Sequence, residues 1–91
     1  MKPYKVTDTV QLFPQQAGWH YIAVPTNITQ QLTPLANRGL IAISATLGNT
    51  SWQTSLLPKG DGTHFIPLSK QVRKAEDISL GDTITIRFTP R

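Results

Sequence analysis

Two β-rich stretches of this 91-residue chain, Ser51–Leu57 and Thr63–Pro67, flank the segment Pro58-Lys59-Gly60-Asp61-Gly62. The Asp-Gly pair supplies the positive φ angles that tight hairpin turns require. The sequence therefore predicts a β-hairpin at this point. A chain with such a hairpin folds around an antiparallel sheet, and the rest of the pattern has to fit that sheet.

Four further runs also predict strands. In each run, apolar residues alternate with polar or small ones, or β-branched and aromatic residues predominate, and a proline or glycine follows. The runs are Thr9–Phe13 before Pro14, Trp19–Val24 before Pro25, Ile41–Leu47 before Gly48, and Thr83–Thr89 before Pro90.

Helical spacing of apolar residues occurs twice. A first short helix is predicted within 25–39, where Thr26 or Asn27 can cap its first turn, and a second over 69–76, capped by Ser69. The apolar positions follow i, i+4, i+7, namely Ile28, Leu32 and Leu35 in the first helix and Leu68, Val72 and Ala75 in the second.

The strand, helix, strand order is repeated. His20-Tyr21-Ile22 and His64-Phe65-Ile66 each begin a predicted strand, and each is followed by a helix, a glycine and an alternating pair of isoleucines. The pattern fits either a duplication or convergence on one local arrangement. It predicts a pseudo-two-fold molecule, because neither unit alone can bury its apolar face.

Length and composition predict one domain, spanning 1–91 with a core over about 6–89. The chain has no cysteine, which excludes disulfides and thiolate metal sites and favours a reducing compartment. The N-terminal residues lack the apolar stretch of a signal peptide, and no later run has the length of a membrane helix. We therefore expect a cytoplasmic protein, monomeric and not associated with membranes.

The formal net charge of +4 and the pI of about 9.9 suggest an anionic partner, but the cations are spread along the chain. Only Lys70, Arg73 and Lys74 cluster. A mildly basic, solubilising surface and a site for a polyanion or a small anionic ligand are both open interpretations.

Catalytic and metal-binding chemistry is poorly supported. Ser55, His64 and Asp61 are the residue types of a nucleophilic triad, but Leu57 should lie opposite Thr63 or His64, which places Ser55 two pairs from the imidazole. Asp61 should instead hydrogen-bond its own turn. Two histidines without cysteine, and carboxylates without ligand spacing, indicate no metal site.

Two resemblances follow from short motifs. One pattern comprises Gly18-Trp19-His20, Trp52-Gln53-Thr54-Ser55-Leu56, Gly60-Asp61-Gly62 through Leu68, Val72-Arg73-Lys74 and Gly81-Asp82. Over about Val10 to Phe88 it resembles DUF1905, a domain of unknown function, although Leu57 stands where a typical member has Met. The resemblance implies a double-split β-barrel, and some members are fused to a domain associated with bacteriocin protection.

A second, local pattern consists of Ile66-Pro67, Val72-Arg73, Ile78, Gly81-Asp82 and Ile84-Thr85-Ile86. It resembles the swapped hairpin of AbrB-like transition-state regulators, with a longer spacing after the proline. That resemblance implies nucleic-acid binding, and the single-unit proteins of this type close their barrel from two chains.

We therefore expect an all-β fold with two short helices, a small pseudo-two-fold double-split β-barrel. Its expected role is a non-enzymatic binding or interaction module without cofactor. One alternative is nucleic-acid binding through Arg38, Lys59, Lys70, Arg73 and Lys74. Another is a small-molecule site in which Trp19, Trp52 and Phe65 form an apolar wall, and Ser55, Lys59 and His64 converge on a small anionic or polar ligand. The binding candidates are Trp52, Ser55, Lys59, Asp61, His64, Lys70, Arg73 and Lys74.

Overall fold

The computed structural model describes residues 2–13 and 18–91. Pro14, which is predicted to end the first strand, lies outside the described residues. A 3₁₀ turn, Thr33–Leu35, follows the first helix. The other elements are β1 Tyr4–Thr9, β2 Gln11–Leu12, β3 His20–Val24, α1 Thr26–Leu32, β4 Ile41–Leu47, β5 Thr50–Pro58, β6 His64–Leu68, α2 Lys70–Ala75 and β7 Thr83–Pro90.

The strands form a nearly closed antiparallel barrel in the order β1-β7-β4-β5-β6-β3-β2. Two parts of the chain change partner along their length. The N-terminal strand is interrupted at Val10, so that β1 pairs with β7 and β2 pairs with β3. β5 pairs with β4 from Thr50 to Leu56, and with β6 at Leu57 and Pro58. These changes of partner bring the two ends of the sheet together.

The barrel closes along the N-terminal strand, and we call this line the seam. Polar contacts around the interruption at Val10 hold it together. The backbone N–H of Val10 donates to the Asp82 carbonyl at 2.8 Å, and the Gly81 N–H donates to the Val10 carbonyl at 3.1 Å. Asp8 Oδ2 accepts the Ala23 backbone N–H at 2.8 Å and the Gln11 side-chain amide at 3.0 Å. The carboxylate thus bridges β1 and β3, where no strand pairing occurs.

The pairing registers have a pseudo-two-fold relation. The β3–β6 ladder is centred on Ile22 opposite Ile66, and exchanging β3 with β6 maps its pairs onto themselves. In the β4–β7 ladder, the exchange that places Ile41 and Ile43 on Ile84 and Ile86 places Ala45 on its own partner, Phe88. The same exchange maps the β2–β3 pairing onto β5–β6, and β1–β7 onto β5–β4. The predicted pseudo-symmetric barrel is confirmed.

Both units contribute to one core. Ile43 and Ile86, one from each unit, are 0% exposed and belong to the same cluster of buried side chains. Burial of such side chains supplies most of the driving force for folding a chain this short. Ile22 and Ile66 lie in that cluster as well.

Several local predictions need correction. The structure has a strand at Tyr4–Thr9 that the sequence did not predict, because alternating Lys, Asp and Thr residues there obscure the buried Val6. No side chain caps α1, which Pro25 precedes, so the predicted caps are wrong. Leu35 is 53% exposed, because the helix tightens into a 3₁₀ turn before reaching it.

The second helix and the hairpin follow the sequence more closely. Ser69 caps α2 as predicted, with its hydroxyl accepting the Val72 N–H at 3.2 Å. The hairpin forms, but Leu57 lies opposite Phe65. Ser55 does not pair across the hairpin, since β5 has already separated from β6 at that point; its partner is Ala42 on β4.

Replacing Asp8 by Ala should lower the free energy of unfolding by about 1–3 kcal/mol, because the Ala23 N–H then loses its acceptor at the seam. Asp8→Asn keeps an oxygen acceptor and should cost less. Urea unfolding of both variants measures the difference. Thr9→Ala, on the same strand and exposed, is the matched control and should stay within about 0.5 kcal/mol of the parent. An unchanged Asp8→Ala protein would show that the carboxylate does not hold the seam.

Candidate functional site

A cleft of about 740 Å³ opens where β5 and β6 separate. One wall is formed by Thr50–Thr54 at the start of β5, and the other by Pro67–Arg73 at the end of β6 and in α2. Gly18, Trp19 and His20, leading into β3, complete it. The volume lies within the range of pockets that bind small molecules.

Two indole rings line this cleft. Trp52 is paired with Ala45 on β4 and is half-buried against the core. Trp19 is 47% exposed, although the large apolar ring would be expected to pack inside so small a protein. The reason is its place just before β3, where its carbonyl accepts the Phe13 N–H at 2.9 Å and the ring stays at the cleft.

The cleft carries positive charge. Arg73 is half-buried, and its Nε donates to the Leu68 carbonyl at 3.2 Å, which fixes the guanidinium beside the cleft. Lys70, exposed at the start of α2, also lines it. The lining contains hydroxyls from Thr50, Ser51, Thr54 and Ser69, and none of the described lining residues is a carboxylate.

One end of the cleft is fixed by Glu76, which follows α2. Its Oε2 accepts the Thr50 hydroxyl at 2.5 Å, which joins the helix to β5. Gly48, in the turn between β4 and β5, has a φ of +58°, and a Cβ there would lie 2.1 Å from Glu76 Oε1. The close approach of the carboxylate therefore requires glycine at this turn.

The structure brings Trp52, Lys70 and Arg73 together and leaves Ser55 and His64 elsewhere. His64 is 7% exposed; its Nε2 is 2.9 Å from the Gly39 carbonyl, and its buried Nδ1 has no partner among the described residues. Ser55 lines a smaller hollow beside Arg91. The predicted small-molecule grouping of Trp52 with Ser55 and His64 is therefore not formed.

Phe65, the third member of the predicted apolar wall, does not line the cleft. Its ring packs edge-on against Phe13 and Tyr21, with centroid distances of 4.8 and 5.4 Å. Phe13 and Tyr21 themselves stack at 3.9 Å. The two rings that line the cleft are thus the tryptophans.

The remaining candidates lie outside the cleft lining. The Lys59 ammonium lies over the Tyr21 ring, 5.6 Å from its centroid. Lys74 is exposed on α2, and Arg38 adopts a positive φ of 56° in the turn before β4. Asp61 accepts the Thr63 N–H at 3.0 Å, which confirms the predicted bond to its own turn.

Sequence reasoning missed the hydroxyl side of the cleft. Thr50, Trp52 and Thr54 alternate along β5, so they share one face of that strand. This alternation was available from the sequence, but the hairpin pattern drew attention to Ser55, on the other face. His20, whose Nδ1 lies 3.0 Å from the Gly18 carbonyl, was assigned to a strand without any role at a site.

Fold and site together define a class: a small double-split β-barrel with a basic, tryptophan-lined cleft where β5 and β6 separate. Comparison with known families matches residues 7–88 to a domain of unknown function, DUF1905. The match covers most of the chain, so the chain belongs to the DUF1905 family. No curated protein matches it. Within the described residues, no helix is long and apolar enough to cross a membrane.

The hydrogen bonds from Thr63 to Asp61 lower the pKa of that carboxyl below its ordinary value of 3.8, the Thr63 hydroxyl having the largest effect. Because the folded-state pKa is lowered, the stabilisation is present above pH 3.8 and is lost as the pH falls through the folded-state value. Carboxyl NMR titration should find the Asp61 midpoint below 3.8. Thr63→Ala should raise this midpoint, whereas Thr83→Ala, on a distant exposed strand position, should not. Equal midpoints in parent and Thr63→Ala would contradict the assignment.

Proposed function

We propose that this protein is a non-enzymatic binding module whose cleft holds a small organic anion. The observation that carries the proposal is the lining: two indole rings and two cations around about 740 Å³, with no carboxylate among the described lining residues. Concave sites with apolar walls and a few polar groups are the usual form of small-molecule sites.

Arg73 supports an anionic ligand. Its Nε is engaged with the Leu68 carbonyl, and within residues 2–13 and 18–91 its terminal amino groups donate no hydrogen bond to another side chain or carbonyl. A planar guanidinium held in this way can donate two parallel bonds to a carboxylate or phosphate. Lys70 adds a second charge that is more mobile.

Binding is favoured over catalysis by the arrangement of the nucleophiles. Among the described residues, the Thr50 hydroxyl donates to the Glu76 carboxylate, while the imidazole of His20 contacts the Gly18 carbonyl and no lining hydroxyl, so no hydroxyl at the cleft has a histidine as its base. A serine or threonine nucleophile needs such a base within hydrogen-bond reach. In the described part of the chain, no three His, Asp or Glu side chains group closely enough to hold a metal ion.

Nucleic-acid binding, the function of AbrB-like proteins, is the rival proposal. It requires Arg38, Lys59 and Lys74 to act with the cleft cations, but these three lie outside the cleft lining. It predicts affinity for single or double strands that falls steeply with added salt. A concave cleft with the volume of a small molecule is the observation that favours the smaller ligand.

Arg73→Ala should weaken binding of small phosphates and carboxylates. A thermal-shift screen of such compounds at millimolar concentration should raise the Tm of the parent, because a ligand that binds the folded state stabilises it. Arg73→Ala should weaken the affinity of any hit at least tenfold, by roughly 1.5 kcal/mol or more. Lys74→Ala removes the same charge from the same helix outside the cleft and should bind like the parent. A screen without hits, or equal loss in both variants, would reject the cleft as the site.

A further inference from the structure

In the first unit of the barrel, side chains of β1 and α1 contact each other at the counterpart of the cleft. The Tyr4 ring stacks on Phe88 with a centroid distance of 5.5 Å and an interplanar angle of 18°. The Tyr4 hydroxyl lies 3.4 Å from Oε1 of Gln31 on α1, and the Lys2 ammonium lies 3.5 Å from the same oxygen. We call the Tyr4–Gln31 contact the latch, because it joins β1 to α1.

The strand pairings show which residue of the second unit corresponds to Tyr4. Tyr4 lies opposite Phe88, and Trp52 lies opposite Ala45. The relation that places Ile84 and Ile86 on Ile41 and Ile43 also places Phe88 on Ala45, which it faces in the β4–β7 ladder. Trp52 is therefore the counterpart of Tyr4.

The helices can be matched in the same way. β3 and β6 match residue for residue from His20 and His64, one residue separates each strand from its helix, and the helices then begin at Thr26 and Lys70. Five positions after these starting residues, Gln31 in the first helix corresponds to Ala75 in the second. The second unit therefore lacks both latch groups: indole replaces the phenol, and a methyl group replaces the amide.

Cations take the place of threonines in the same stretch. The counterparts of Lys70 and Arg73 are Thr26 and Thr29. Thr29 is buried, and its hydroxyl has no partner among the described residues. These four residues of the second unit, Trp52, Lys70, Arg73 and Ala75, all line the open cleft. At the cleft, the second unit therefore lacks the latch groups and has two cations where the first unit has threonines.

We infer that the ligand completes the second unit in place of the missing latch, and that it is a flat ring bearing a phosphate or carboxylate. This inference rests on the proposed function. The ring stacks on Trp52, in a position related to the Tyr4–Phe88 stack, and the anionic group binds Arg73 and Lys70. The cleft volume suits a molecule the size of a mononucleotide or an aromatic acid.

Matched probes separate the ring from the charge. Adenosine 5′-monophosphate is compared with ribose 5-phosphate and with adenosine, and phenyl phosphate with inorganic phosphate, by calorimetry and tryptophan fluorescence. The probes that combine ring and anion should bind at least tenfold tighter than either part alone and should change the indole emission. Equal affinity of ribose 5-phosphate and the mononucleotide would overturn the inference and leave the anion-binding proposal standing.

Rebuilding the latch tests the same idea from the side of the protein. The double variant Trp52→Tyr, Ala75→Gln should weaken binding of the ring-bearing probes at least tenfold without lowering the Tm. Gln31→Ala, which removes the latch amide of the first unit, is the matched control and should bind like the parent. Parent-like binding by a folded double variant would overturn the inference.

A single exposed substitution serves if the double variant does not fold. Ala75→Glu places a carboxylate at the cleft and should repel the anionic probes, with at least tenfold weaker binding and a Tm near that of the parent. Parent-like affinity of Ala75→Glu would count against the cleft. Failure of every small anion to bind the parent would overturn both proposals, and tight, salt-sensitive binding of oligonucleotides would favour the nucleic-acid rival.

Discussion

The barrel depends on strands that change partner partway along their length. A continuous ladder on both sides of β5 would close the sheet without any gap, but β5 pairs with β6 only at Leu57 and Pro58. The N-terminal strand changes partner at Val10, where the turn at Gly81–Asp82 satisfies its backbone groups. Each change separates two strands, and a short helix lies beside each separation. The pairing of the strands alone thus produces two related openings, whichever side chains line them.

The side chains at the two strand separations are different. In the first, Asp8 accepts the Ala23 N–H, the Tyr4 ring stacks on Phe88, and the Tyr4 hydroxyl contacts Gln31 on α1. In the second, Ala45 occupies the position of Phe88, and hydroxyls, indoles and cations surround the gap. A repeated architecture allows one copy to keep the stabilising contacts while the other carries polar groups that would be costly inside a core.

Much of the fold could be predicted because it depends on local rules. The Asp-Gly turn, the Ser69 cap and the alternation of Ile41–Leu47 and Thr83–Pro90 each act within a few residues. The predictions that failed concern residues whose structure depends on partners far away in the sequence. Tyr4–Thr9 is a strand because β7 pairs with it, and the position of Ser55 followed from a separation of β5 and β6 that no hairpin rule contains. The site was predicted in part for the same reason: Lys70 and Arg73 are near in sequence, whereas their neighbour Trp52 is brought to them only by the barrel.

The contact between Glu76 and the Gly48 turn constrains how the cleft can move. The carboxylate ties the end of α2 to the start of β5 through Thr50, and the turn has no side chain in between. The two walls of the cleft, formed by β5 and α2, are therefore joined at that end. A widening of the cleft would have to lengthen the contact between Glu76 and Thr50, so this contact limits how far α2 can move from β5 when a molecule enters.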